Sequence, residues 1–137
     1  MTTRANPKEE PAVKLTAEQV RLLNECHFAF VATLMPEGGP HGTIVWIESD
    51  GQYVYFNTAA KVKSRNLLGD NRVSIALYDP ASPYERVLLL RGRAELILAG
   101  ANDHMNQLST KYTGHDFDGF QAGETRMIVK VTPTHVS

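Results

Sequence analysis

The chain has 137 residues, 42% of them hydrophobic and 21% charged, which suits one globular domain with its own core and is too little for two. Fourteen basic residues against fifteen acidic ones leave no global field to attract nucleic acid or anionic lipid, so any anion site must be local. The lone cysteine, Cys26, can make neither an intramolecular disulfide nor a zinc cage, the first residues lack a signal peptide's apolar stretch, and no apolar run is long enough to cross a bilayer; a protein of the reducing cytoplasm is expected, with no membrane or nucleic-acid partner.

Residues 1–14 mix Pro7, Pro11, Lys8, Glu9 and Glu10 with almost nothing apolar and read as a flexible arm before a domain over 15–137. Thr16 and Gln19 have capping-box spacing, and Val20, Leu23 and His27 recur at helical intervals, which predicts about three helical turns. Phe28 to Leu34 is a strand by propensity, and the turn residues from Met35 to Pro40 end it. From His41 to Glu48 the pattern alternates, with apolar groups on both faces, and Ser49-Asp50-Gly51 is a tight hairpin signal leading into a strand at Tyr53 to Asn57. These first three strands are expected to form a meander. Lys61 to Leu68 reads as a short helix ending at Gly69, and Arg72 to Tyr78 as a fourth strand. After a loop at Asp79 to Pro83, Glu85 to Leu98 is a long fifth strand with Gly92 as a bend or bulge. A third helix over 101–112 and a glycine-bearing loop precede a last strand from Thr125 to about Val131.

Six strands, several joined by hairpin-length turns, predict a mainly β protein built as an antiparallel barrel with short flanking helices. In the fifth strand, Val87 and Leu89 face one way and Leu88 and Leu90 the other. Both faces need cover, and one barrel has one interior, so a second copy of the chain is expected on the outside.

The segment Asn57 to Asn66 is the most informative. A helix N-terminus carries partial positive charge and free N–H donors, yet Lys61, Lys63 and Arg65 crowd this one. Either an anion such as a phosphate sits there, held by the ammonium groups, the Thr58 and Ser64 hydroxyls and backbone N–H groups, or the cations form a solvated basic face. The five histidines show no paired metal spacing, and His115-Asp116-Phe117-Asp118 reads as a polar surface loop. Cys26 reads as a buried apolar side chain, not a nucleophile; Gly-x-Ser-x-Gly, Rossmann and P-loop patterns are all missing. Protease, zinc and nucleic-acid functions are thereby disfavoured, and no catalytic dyad or metal site is expected. Trp46 is a stacking surface for a ring or a core or interface residue.

Taken in order, Ala32-Thr33-Leu34, Gly38-Gly39-Pro40-His41, Tyr55-Phe56-Asn57-Thr58, Lys61 to Leu67, Arg72-Val73-Ser74, Asp79-Pro80, Arg91 to Glu95 and Leu108 to Gly114 resemble the pyridoxamine 5'-phosphate oxidase-like FMN-binding split-barrel family, and within it the branch of F420-dependent reductases. The resemblance spans residues 16–136. It implies a six-stranded antiparallel split barrel in an intertwined homodimer, with cofactors in grooves between subunits. It further implies a cofactor phosphate against Lys61, Lys63 and the helix start, and a ring along the strands containing Thr43 to Trp46 and Tyr55 to Thr58, with His41, Thr43, Val45, Trp46, Asn57 and Thr58 as cofactor-binding residues. Arg86 to Arg91 imitates the Arg-x-Val-Leu-Leu-Lys segment of pyridoxamine phosphate oxidases but follows the lysine cluster, and their arginine-containing C-terminal motif is missing, so vitamin B6 oxidation is not expected. The implied activity is hydride transfer from the reduced deazaflavin F420 to an unsaturated or conjugated small molecule. FMN is the alternative cofactor, and a non-catalytic flavin, deazaflavin or haem carrier the alternative role. The glutamyl tail of F420 needs further basic surface, such as Arg65 or Arg72.

Overall fold

The computed structural model describes residues 10–137. Its elements run α1 (Ala17–Asn24), β1 (Ala29–Leu34), β2 (Pro40–Val45), β3 (Ile47–Ser49), β4 (Val54–Ala59), α2 (Val62–Gly69), β5 (Arg72–Tyr78), β6 (Val87–Ile97), α3 (Ala101–Thr113) and β7 (Arg126–Val136). All seven strands belong to one antiparallel sheet in the order β2-β1-β5-β6-β7-β4-β3. The two edge strands, β2 and β3, are separated in sequence by Trp46 alone. A sheet whose opposite edges are joined by one residue must curl upon itself, and with no ladder between β2 and β3 it closes as a split barrel.

The expected six strands are therefore seven. His41 to Glu48 is not one strand but two, because the chain leaves one sheet edge and joins the other at Trp46. The two hairpins of the expected meander survive: β1 pairs β2 from Ala29↔Val45 to Leu34↔Pro40, and β3 pairs β4 through Ile47↔Phe56.

Local signals explain most boundaries. Thr16 Oγ1 accepts from the Gln19 N–H at 3.1 Å and Gln19 Oε1 from the Thr16 N–H at 2.8 Å, a complete capping box. The helix stops at Asn24, a turn earlier than expected, where Glu25 is already extended and its carboxylate meets His27 and Arg86. Cys26 therefore lies past the helix and is exposed, not buried as expected, its thiol donating to the Lys111 carbonyl at 3.1 Å. At Gly92 the β6–β7 register shifts, as expected of a bulge, and a Cβ there would lie 2.2 Å from the Thr132 carbonyl oxygen. β7 runs past Pro133 to Val136 because that proline sits opposite Gly92, where the ladder is already broken and a missing N–H costs little. Within the expected arm, residues 1–9 lie outside the described residues; further on, the Val13 N–H donates to the Pro133 carbonyl at 2.8 Å and Leu15 is buried.

Period-two alternation fills the barrel with Val31, Ile75, Leu88, Leu90, Val129 and Val131, while Leu22 and Leu23 of α1 and Leu67 of α2 close it. The opposite face of β1, β2, β5 and β6 leaves Phe28, Phe30, Ile44, Tyr78, Val87 and Leu89 exposed, Phe28 to 65% and Ile44 to 62%. Register places Ile44, Phe30, Ala76 and Leu89 in one row across it. Among the described residues, no helix is long and apolar enough to cross a membrane.

Candidate functional site

A cleft of about 560 Å³, a size usual for small-ligand sites, opens among β2, β4, the start of α2, α3 and the start of β7. Its cations are Lys61 and Lys63 at the entry to α2 and Arg126 at the first position of β7. α2 starts with no side-chain cap and no acidic residue in its first turn, so its leading N–H groups keep their donor capacity and the helix end its partial positive charge. Lys63, half-buried, makes no hydrogen bond or ion pair among the described residues, and its ammonium lies 5.8 Å from the Phe56 ring centroid. Burial, and secondly the charge of Arg126, push its pKa below the ordinary lysine value.

Arg126 is fixed by a chain of buried polar groups. Its Nε donates to Asn57 Oδ1 at 2.9 Å, and Asn57 Nδ2 donates to the Ala101 carbonyl at 2.9 Å and lies 3.1 Å from His104 Nδ1. His104 Nε2 is 3.0 Å from Glu48 Oε1, and Arg126 Nη1 is 3.3 Å from Glu124 Oε1. The remaining wall is apolar and aromatic, with Phe28, Ile44, Val45, Trp46, Met105 and Phe117. Trp46 stacks on Tyr112 with centroids 5.4 Å apart and takes the Phe117 ring edge-on at 6.3 Å. Burial pushes the Tyr112 phenol up to about 12; as a neutral hydroxyl it accepts from the Ile47 N–H and donates to the His27 carbonyl. Thr43 Oγ1 is the one buried side-chain polar atom without a hydrogen-bond partner among the described residues, and Thr43 lines this cleft.

Of the residues singled out from sequence, His41, Thr43, Val45, Trp46, Asn57, Thr58, Lys61 and Lys63 all line the cleft, and Ser64 does not. The buried Ser64 hydroxyl donates to the Lys61 carbonyl at 3.0 Å, and Thr58 Oγ1 donates to the Ala59 carbonyl at 3.1 Å. Both protons expected to serve an anion are thus used on nearby backbone carbonyls. Arg65 and Arg72 are not in the lining either, and Arg72 is held by Asp70 at 2.7 Å. Sequence reasoning missed Arg126, His104 and Glu48, whose meeting depends on pairings such as Ala59↔Arg126 that no local pattern reveals. Among the described residues, one group has metal-ligand geometry, Glu25, His27 and Asp79, but Arg86 already bonds both carboxylates. Residues 115–118 contribute no such group.

Comparison with known proteins supplies the context. No curated protein sequence matches the chain. Among solved structures, an F420 reductase superposes with a TM-score of 0.77 at 28% identity, covering 85% of this chain and 94% of that one. A conserved hypothetical protein of Mycobacterium tuberculosis gives 0.73 at 26% identity, covering 98% and 88%. General Stress Protein 26 of Bacillus anthracis, 12% identical over 87% of this chain and 88% of its own, shares the fold with a TM-score of 0.64. The family described as pyridoxamine 5'-phosphate oxidase matches residues 15–137, and the chain belongs to that family.

Proposed function

We propose that the cleft binds a phosphate-bearing flavin-type cofactor, the deazaflavin F420 before FMN, and that the protein is an oxidoreductase acting on an unsaturated or conjugated small molecule. The observation that carries this reading is Lys63: a half-buried ammonium without an ionic partner, sharing with the cation Arg126 a cleft whose other wall is aromatic. Such a pair is relieved by an anion, and the aromatic wall suits the ring attached to it. The uncapped start of α2 adds N–H donors, and the unpartnered Thr43 hydroxyl adds a polar contact on the ring side. Likeness to an F420 reductase favours the deazaflavin, while the single phosphate of FMN suits the same cations.

When bound and reduced, such a ring supplies the hydride. The chain's own residues bind it, orient it and exclude water: Lys61, Lys63 and Arg126 hold the phosphate, and Trp46, Phe117 and Val45 shield the ring. A homodimer completes the arrangement. Phe28 and Ile44 line both the cleft and the exposed apolar face, so a second copy packed on that face also borders the cleft mouth.

Titration of the purified protein with F420 and with FMN, followed by fluorescence, tests the cofactor. Mixing the pre-reduced complex with quinones, enones and tetrapyrroles tests the chemistry. Binding of neither cofactor sinks the reading, and tight binding with no acceptor reduced reassigns the protein as a carrier.

A further inference from the structure

The cleft contains one cation whose direction is dictated from outside it. Neither His104 nor Glu48 lines the cleft, yet they sit at the far end of the chain of bonds that terminates in Arg126. The bonding pattern is unambiguous. Asn57 Nδ2 faces the Ala101 carbonyl, an obligate acceptor, and Oδ1 faces Arg126 Nε, an obligate donor, so the amide has one permitted orientation. Its second N–H then points at His104 Nδ1, which must present a lone pair. Nε2 therefore carries the proton and donates it to the Glu48 carboxylate at 3.0 Å. Around the imidazole stand Glu48 from β3, Asn57 and the Tyr55 ring (6.4 Å) from β4, and, through Asn57, Arg126 from β7.

Arg126 keeps binding capacity at its free end. Nε is taken by Asn57 and Nη1 by Glu124, but Nη2 has only the Met105 thioether at 3.3 Å, a weak acceptor. A phosphate oxygen is a far stronger partner for a planar guanidinium. We propose that Arg126, beside the two lysines, is a residue by which this cleft selects phosphate-bearing over phosphate-free ligands, and that His104 is a positioning residue that aims it through Asn57. The inference rests on the reading of the cleft as a flavin or deazaflavin site. It assigns a selective role to one cation and an indirect role to a histidine that lies outside the cleft lining.

The test compares ligands that differ only by the phosphate-bearing arm: FMN against riboflavin, and F420 against its phosphate-free deazariboflavin. Arg126→Leu and His104→Leu should each weaken the phosphate-bearing ligand by about tenfold or more, while the phosphate-free ligand stays within about twofold. His104→Gln, whose amide can offer oxygen to Asn57 and N–H to Glu48, should recover most of the loss. Long-range proton–nitrogen correlation spectra of the wild type should show the Nε2–H tautomer of His104, a readout that stands even if the leucine variant fails to fold. Equal loss of both ligand types in Arg126→Leu, failure of His104→Gln to restore selectivity in a folded protein, or an Nδ1–H tautomer overturns the proposal. A wild type that binds none of the four ligands refutes the cofactor reading and this inference with it, whereas a wild type that prefers phosphate-bearing ligands undiminished by Arg126→Leu refutes this inference alone.

Discussion

Replacing Lys63 by methionine should move stability and ligand affinity in opposite directions. The ammonium is half-buried and unpaired, and burial, then Arg126, disfavour its charged form, so its folded-state pKa lies below the ordinary 10.5. An unfolded chain therefore holds this proton more tightly than the folded one, and stability rises with pH between the two values. Below the folded value the charge is a standing cost to the fold, which methionine, similar in length and apolar, removes. Unfolding entropy near 2.1 cal/mol/K per residue gives about 0.29 kcal/mol/K for the chain, so each kcal/mol relieved raises Tm by about 3.5 °C. Affinity for F420 or FMN should fall meanwhile by about 1.5–3 kcal/mol, the worth of a bond to a charged group, or roughly ten- to a hundredfold. Differential scanning fluorimetry of the apo-protein at pH 7 and pH 10, beside cofactor titration, reads both. A variant that melts lower than wild type at pH 7, or binds cofactor as well, refutes the assignment of Lys63 as a cation held for an anion.

Other perturbations test other parts. Gly92→Ala places a Cβ against the Thr132 carbonyl and Val131, and should cost about 1–3 kcal/mol, visible as a lower Tm; an unchanged Tm would contradict the packing at the bulge. Ile44→Asp with Leu89→Asp should turn a dimer of about twice 15.2 kDa into a monomer by sedimentation, and a wild type that sediments as a monomer removes the dimer from the proposal. Glu25, lowered chiefly by its bond to His27, and Asp79, lowered chiefly by the Ala81 N–H, both also bond Arg86. Their stabilisation is present above the ordinary values of 4.5 and 3.8 and is lost as pH falls through the lowered ones; Arg86→Met should flatten that acid limb of urea midpoints, and an equally steep limb would show that Arg86 does not set it. Thr16→Ala should cost about 1 kcal/mol in urea unfolding by removing the cap, and no loss would mean α1 is held by packing alone.

What could be read in the sequence was whatever neighbouring residues decide among themselves. Thr16 with Gln19 marked a helix start and Gly92 a bulge; the third helix, expected over 101–112, runs Ala101–Thr113 between Gly100 and Gly114, both at positive φ. The break at Trp46 was invisible because the alternation runs through it unchanged; only barrel closure decides that residues on either side join opposite edges. The same division holds in the cleft. Lys61 and Lys63 announced themselves by crowding a helix start that disfavours cations, but Asn57 is reached by Arg126 across 69 positions and by His104 across 47. At Ser64 and Thr58 the hydroxyl protons go to near acceptors, the Lys61 and Ala59 carbonyls, which no spacing in the sequence reveals.

The position of the cleft follows from the split itself. β2 pairs only with β1, so along Pro40 to Val45 one side of its backbone has no strand to bond. β4 meets β3 only from Val54 to Phe56, so on that side Asn57, Thr58 and Ala59 likewise run on without a ladder. These two unladdered stretches supply His41, Thr43, Val45, Asn57, Thr58 and Ala59 to the cleft lining. Unpaired strand edges carry N–H and C=O groups that need partners, and in most proteins they invite another strand. Here Trp46, at the turn between the two edges, and α2, which leaves β4 directly after Ala59, limit the room beside them. A flat heteroaromatic ring with donors and acceptors along its rim, as the proposed cofactor has, would meet such edges where a whole strand cannot, with its phosphate toward Lys61 and Lys63. On the proposed reading, the closure that leaves the barrel incomplete is also what puts room for a ring beside the cations at the start of α2.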